Sequence, residues 1–320
     1  MTGVTFDAIA QPPSMNIRMF AFLAFSLVVF PFLAPLASPL TQQSELVIEV
    51  PFTMAGNMIA VDVVVNGRTC VFLLDTGAPR VILNAAHYPG DSDSGRTSVT
   101  KGIGGAISGV GSRMVNALDF AGLQLSKQRL TTMDLSHLES ELDTEIHGLI
   151  GYRLIKDYDL MLDYEAKMIR LIDPEHWPTY HQKVFSGTTI QSVPFQMSGH
   201  IPVLKARIGD QNLDLGLDTG AGRNVISIHL FDALKPSVSE VEADSMMGAD
   251  KNIQVVNRGV LSNLHLGKRT FDTQRSFFSN IDHLNQGGWL PMDGIIGYQV
   301  LARQKTLISY RRRELVFIID

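Results

Sequence analysis

Two short stretches carry the residue types best suited to chemistry. They are Asp75-Thr76-Gly77-Ala78, entered through Phe72-Leu73-Leu74, and Asp218-Thr219-Gly220-Ala221, entered through Leu215-Gly216-Leu217. Each places a carboxylate on a tight turn at the end of an apolar, strand-like run. Two carboxylates held within hydrogen-bond distance cannot both ionise cheaply, so they share a proton and present an acid beside a base. The ionised partner can take a proton from water while the protonated one hydrogen-bonds a carbonyl and supports the oxyanion that develops on it. Hydrolysis by such a pair requires neither a metal nor a covalent intermediate.

Bringing the two together demands matching scaffolds, and the chain repeats itself. Asp218 follows Asp75 by 218 − 75 = 143 residues. Ile150-Gly151-Tyr152 returns as Ile296-Gly297-Tyr298, an offset of 296 − 150 = 146. Leu160-Met161-Leu162-Asp163-Tyr164, followed by Ile169-Arg170-Leu171-Ile172, is matched by Thr306-Leu307-Ile308-Ser309-Tyr310, followed by Leu315-Val316-Phe317-Ile318. The near-constant offset means that one unit is used twice.

In each half the Asp-Thr-Gly-Ala turn is followed, about 70 residues later, by an apolar pair beside glycine: Gly148-Leu149-Ile150-Gly151 and Asp293-Gly294-Ile295-Ile296-Gly297. In these features the chain resembles the aspartic peptidases of the pepsin and retropepsin clan over residues 46–320. It is most similar to the bacterial retropepsin-like proteins that hold two lobes in one chain. The resemblance implies an all-β fold of two similar barrel-like lobes with a cleft between them. Asp75 and Asp218 would form an endopeptidase dyad at its floor, their roles exchangeable because the site is nearly symmetric. A peptide or protein substrate is implied, and one chain suffices to build the site. The alternative is an idle member kept as a peptide-binding or envelope scaffold module, which would have no chemical reason to retain two mutually repelling carboxylates.

The same resemblance assigns supporting roles. Thr76 and Thr219 would point their hydroxyls across to the opposite loop, and Gly77 and Gly220 would let the two backbones approach. The later glycine motifs would pack beneath as rigid support. The Gly-rich segment 101–111, with Gly104 and Gly105, would be a substrate-covering hairpin, with 246–250 as its counterpart. No Tyr or Trp lies in 99–115, so the tyrosine contact of pepsin-like hairpins has no match. Arg80 and Arg223 each follow their Asp by five residues. They read as surface ion pairs or as guanidinium groups at the cleft ends that favour acidic substrates. Ala78 and Ala221 stand where pepsin-like enzymes have Ser or Thr. A missing hydroxyl disfavours the ionised carboxylate, which predicts an optimum less acidic than pepsin's.

Local signals place these motifs on strands. Residues 45–50 and 58–65 read as strands, with Asn66-Gly67 as a hairpin turn into 70–74, and Gly209-Asp210 serves the same purpose before 213–217. Further strand-like runs cover 118–125 and 261–266, and short helices are predicted at 152–156 and 298–302. The lobes are assigned to 45–173 and 188–320. Residues 174–187 are the linker, because prolines and polar residues there show no period.

Composition sets the outer bounds. The chain has 320 residues, 45% of them hydrophobic, with net charge −5 and pI near 6.0. That supports a packed core and excludes a polyelectrolyte, so nucleic acid is not an expected partner. The single cysteine, Cys70, forbids an intrachain disulfide and reads as a small core residue. Residues 19–36 carry no charge, follow Arg18 and precede the small Ala37 and Ser38. Residues 1–37 therefore read as a secretory signal or a retained membrane anchor, with Pro31 and Pro35 weighing against a long membrane helix. Either way the remainder is expected outside the cytoplasm, secreted or periplasmic. Asp7 without a preceding basic residue suggests a start at Met15, and the short run to the first strand leaves no room for a long propeptide.

No metal or cofactor is expected. Glu175, His176 and His181 lack further ligands nearby in sequence. His147, standing where the second half has Asp293, reads as packed or solvent-facing. His87, His200 and His265 have no Ser or Cys partner motif.

Overall fold

The computed structural model describes residues 21–22, 25–26, 47–91, 98–102, 105–248, 253–285 and 290–319. Among the described residues the structure is mostly β, arranged as two lobes with a closed six-strand barrel and a large sheet.

The Asp75 strand shows why these residues fold as they do. Met58–Val65 buries Val61, Val63 and Val65 while Asp62 and Val64 face outward, the alternation of a half-covered strand. Asn66 and Gly67 both take positive φ (50° and 84°) and reverse the chain, as a hairpin turn with right-handed strand twist requires. Arg68–Leu74 then runs antiparallel to Met58–Val65 and parallel to Gly148–Ile150. With neighbours on both sides, Phe72, Leu73 and Leu74 are fully buried, so the sequence reads there as an unbroken apolar run.

The barrel continues from Gly148–Ile150 to Ile82–Asn84, Leu123–Met133 and Gly105–Phe120, and closes where Val64 and Val65 pair with Asp119 and Leu118. The second half repeats the path through Ile201–Ile208, Gln211–Leu217, Gly294–Ile296, Asn224–Ser227, Gln274–Ser279 and Ile253–Leu261. It stays open because Ile201–Ile208 pairs instead with Leu264–Leu266. Each half also extends a hairpin, Ser98–Gly102 with Gly105–Phe120 and Val238–Gly248 with Ile253–Leu261.

The halves are fused by a sheet that interleaves them: Thr189–Ser198, Glu314–Ile319, Lys305–Ser309, Asp159–Asp163, Met168–Ile172 and Val47–Pro51, in that order. The two repeated strands, Asp159–Asp163 and Lys305–Ser309, meet antiparallel at its centre. One apolar cluster accordingly runs from Val50 and Phe72 through Leu215 to Phe317.

Several elements differ from expectation. The linker contains a helix, Trp177–Val184. Pro178 sits in its first turn, where a missing N–H costs nothing, and Trp177 with Phe185 packs against Met161 and Leu307. A second helix, Ser136–Leu142, buries His137 and Leu138. The run 118–125 is broken at Ala121-Gly122, both at positive φ, and 261–266 at Asn263. The helices after the glycine motifs are present as Tyr152–Ile155 and Tyr298–Leu301. Of the apolar run 19–36, only Ala21–Phe22 and Phe25–Ser26 are among the described residues; Met15, Gly104 and 249–250 lie outside them. Among the described residues no helix is long and apolar enough to cross a membrane.

Candidate active site

Asp75 and Asp218 each leave the end of their strand with the backbone amide tied to the parallel neighbour. Asp75 N donates to Ile150 O and Asp218 N to Ile296 O, both at 2.9 Å. The glycine that follows each of these acceptors is required by space. A Cβ on Gly151 would fall 2.3 Å from Arg80 O, and one on Gly297 would fall 2.4 Å from Asp218 O.

The two turns are locked to each other. Thr76 N donates to Thr219 Oγ1 at 3.0 Å, Thr219 N to Thr76 Oγ1 at 2.9 Å, and the Thr219 hydroxyl to Leu74 O at 2.9 Å. Neither Gly77 nor Gly220 takes a positive φ. Their contribution is the amide: both donate to Asp218 Oδ1 at 2.8 Å, Gly77 from the opposite lobe. Asp75 Oδ1 accepts the Ala78 amide at 3.0 Å. Both carboxyl groups are fully buried, and their Oδ2 atoms accept no hydrogen bond from the protein.

These contacts separate the two carboxyls electrostatically. Burial and then the adjacent Asp218 charge hold Asp75 well above the ordinary carboxyl range, against the opposing Ala78 amide. Burial also raises Asp218, with the Gly220 and Gly77 amides pulling it back down. Of the two, Asp218 is the anion better stabilised by backbone amides. The two motifs are nearly symmetric in sequence, but the amides they present to the carboxyls are not.

Two neighbours, Asn57 and His200, carry no sequence motif of their own. Asn57 Nδ2 donates to Gly222 O at 3.0 Å, and His200 Nε2 to Gly77 O at 2.6 Å, each reaching the opposite turn. Tyr310 stands edge-on to Tyr152 at 4.9 Å, and Tyr298 to Tyr164 at 5.6 Å, so each short helix packs its ring on the other half's sheet. Burial, then Tyr152 and the Asp218 charge, push the Tyr310 hydroxyl above its usual range. The repeat of Tyr164 and Tyr310 at an offset of 310 − 164 = 146 was the available signal.

The other sequence candidates are dispersed. Arg80 is exposed, and partial burial and then Arg153 lower its proton affinity. Arg223 instead lies over the Phe277 ring, 5.9 Å from its centroid. Gly105 opens the long strand of the first hairpin. Cys70 is buried, with Sγ 3.1 Å from the Tyr88 hydroxyl.

An internal duplication, a barrel strand ending in Asp in each half, and two turns locked through threonines define a two-lobed protease scaffold. The aspartyl protease family profile matches residues 61–154 and 204–300, one match on each lobe and together more than half of the chain. The chain belongs to the aspartyl protease family. No curated protein matches it.

Proposed function

We propose that the chain is an aspartic endopeptidase that hydrolyses peptide bonds with a water activated between Asp75 and Asp218. The observation that carries this reading is the pair of buried carboxyls, each fixed through one oxygen by backbone amides while its Oδ2 has no protein partner. Asp218, stabilised as the anion by two amides, is the base that takes the proton from water. Asp75 keeps the shared proton and donates it in a hydrogen bond to the scissile carbonyl.

The substrate in this reading is an extended peptide that adds to the hairpin edges. Two pieces of the N-terminal run support it. Ala21–Phe22 pairs with Met247 and Gly248 of one hairpin, and Phe25–Ser26 with Lys101 and Gly102 of the other. Edges that accept one extended segment offer main-chain hydrogen bonds to another. Gly105, paired with Gly102 at the end of the first hairpin, would belong to the tip that closes over it, Gly104 being assigned there from the sequence alone, and exposed Arg80 offers a guanidinium to acidic side chains. One chain supplies both aspartates, so a monomer suffices. The uncharged run 19–36 supports a location outside the cytoplasm, with 1–37 as signal or anchor.

The test is digestion of a diverse peptide library by the full chain across the pH range, beside Asp218→Asn. Cleavage abolished by the substitution establishes the dyad. Peptides bound but never cut, with binding unchanged in Asp218→Asn, would overturn the enzymatic reading in favour of a binding module.

A further inference from the structure

We propose that His87, Glu145 and His147 form a binding site for a divalent transition metal of the zinc class, in the first lobe and separate from the dyad. One ligand atom from each lies within 4.8 Å of the others. His87 Nδ1 and His147 Nε2 stand 3.7 and 3.8 Å from Glu145 Oε1. A tetrahedral zinc with bonds near 2.1 Å places its ligand atoms about 3.4 Å apart. The carboxylate separations therefore need to close by only a few tenths of an ångström. Glu145 can make that move, because its side chain is 60% exposed.

The surroundings prepare both imidazoles. His87 Nε2 donates to Glu139 Oε1 at 2.6 Å, and the same oxygen accepts the Ile146 amide at 2.9 Å. This fixes the His87 tautomer with its proton on Nε2 and leaves the Nδ1 lone pair facing Glu145, the carboxylate–histidine arrangement that orients metal ligands. His147 is held by its backbone, its amide on Val71 O and its carbonyl on the Asn84 amide, both at 2.8 Å. Its ring is 4% exposed and stacks on His87 at 4.5 Å, yet both ring nitrogens are without a hydrogen-bond partner. A buried imidazole with no partner is costly, and a metal takes the free lone pair. Two imidazoles and a carboxylate suit zinc, cobalt or nickel rather than calcium or magnesium.

The second lobe serves as an internal control. There His229 Nε2 meets Asp282 Oδ2 at 3.2 Å, at offsets of 229 − 87 = 142 and 282 − 139 = 143 from His87 and Glu139. An imidazole–carboxylate tie between turn and helix thus belongs to the repeated fold. The position matching His147 is Asp293, whose Oδ2 accepts the Asp214 amide at 2.8 Å. Glu145 and His147 are what the first lobe adds. A metal there would join the turn after Ile82–Asn84 to the segment entering Gly148–Ile150, the strand whose end holds the Asp75 amide.

The test is titration of the full chain, purified in detergent and stripped with a chelator, with zinc by calorimetry and with cobalt by visible absorption. Expected are one equivalent per chain and the d–d bands of low-coordinate cobalt. Glu145→Gln and His147→Gln should each weaken binding by at least about tenfold, since even loss of an outer-shell partner costs about 10–100-fold. His176→Gln, at the other histidine cluster, should change nothing. Glu145 is at the surface, so its variant remains informative if His147→Gln fails to fold. No saturable binding, or binding unaffected by Glu145→Gln, overturns the proposal.

Discussion

Asn57 and His200 occupy the same place in the two halves, 200 − 57 = 143 residues apart, and each donates to a carbonyl at the opposite Asp-Thr-Gly turn. One does so with an amide and the other with an imidazole. Only the second can titrate. Burial holds the His200 ring below the usual histidine range, and its bond to Gly77 O opposes that.

The first prediction follows from that difference. A histidine with a lowered folded pKa binds fewer protons folded than unfolded, so stability falls as pH drops below the unfolded value of about 6.5. His200→Asn, which copies Asn57, is expected to flatten this acid loss while preserving cleavage. Melting temperatures across mildly acidic pH check it; an unchanged slope refutes a role for His200 in acid sensitivity.

The dyad has the opposite sign. Raised carboxyl pKa values mean that the folded state binds more protons than the unfolded one, so stability grows as pH falls through the folded values and levels off below about 4. Asp218→Asn should lower kcat by about 10²–10⁴-fold. It should also melt higher than the natural protein near neutral pH, with the gap closing in acid. A variant less stable at every pH would contradict this.

Ala78 is fully buried, and its amide already bonds Asp75. Ala78→Ser adds a hydroxyl donor that favours the ionised carboxylate. The acidic limb of the activity profile should move to lower pH, as measured by kcat/KM on one peptide. A shift the other way, with the fold intact, would show that the hydroxyl bonds the protonated form.

Thr219 contributes through two bonds, accepting the Thr76 amide and donating to Leu74 O. Thr219→Val leaves a buried amide and a carbonyl without partners, at about 1–3 kcal/mol for each. Denaturant unfolding should show a loss in this range together with weaker catalysis. Full activity at unchanged stability would rule out the lock.

Gly297→Ala should be more damaging to activity than an ordinary surface change, because the new Cβ meets Asp218 O and Ala221 O. Overpacking of this kind costs about 1–3 kcal/mol or more. Here the displaced atoms belong to the turn that carries Asp218. Thermal melting and peptide cleavage together check it, and a variant with natural kcat would show that the turn yields elsewhere.

Much of this was legible because the repeat preserves residue identity where space is tightest. Gly151 and Gly297 cannot carry a Cβ, and Asn66-Gly67 must take positive φ, so these positions announce themselves. The helix Trp177–Val184 was hidden because its stability comes from Trp177 and Phe185 packing on distant strands rather than from local periodicity. Asn57 and His200 were hidden for another reason: they do the same work with different residue types, so comparison of the halves showed no match. The aromatic contacts Tyr152–Tyr310 and Tyr164–Tyr298 were visible as repeated letters, but their exchange between halves depends on the interleaved sheet.

The unequal share of amides received by Asp75 and Asp218 has a consequence for how a substrate would lie. An assembly of two identical chains presents the same face to a peptide read in either direction. This molecule does not. In the proposed mechanism the base lies on the second half and the acid on the first, so the polarity of a bound chain would be set by the protein, and the fragments on the two sides of a cut would leave from chemically different exits.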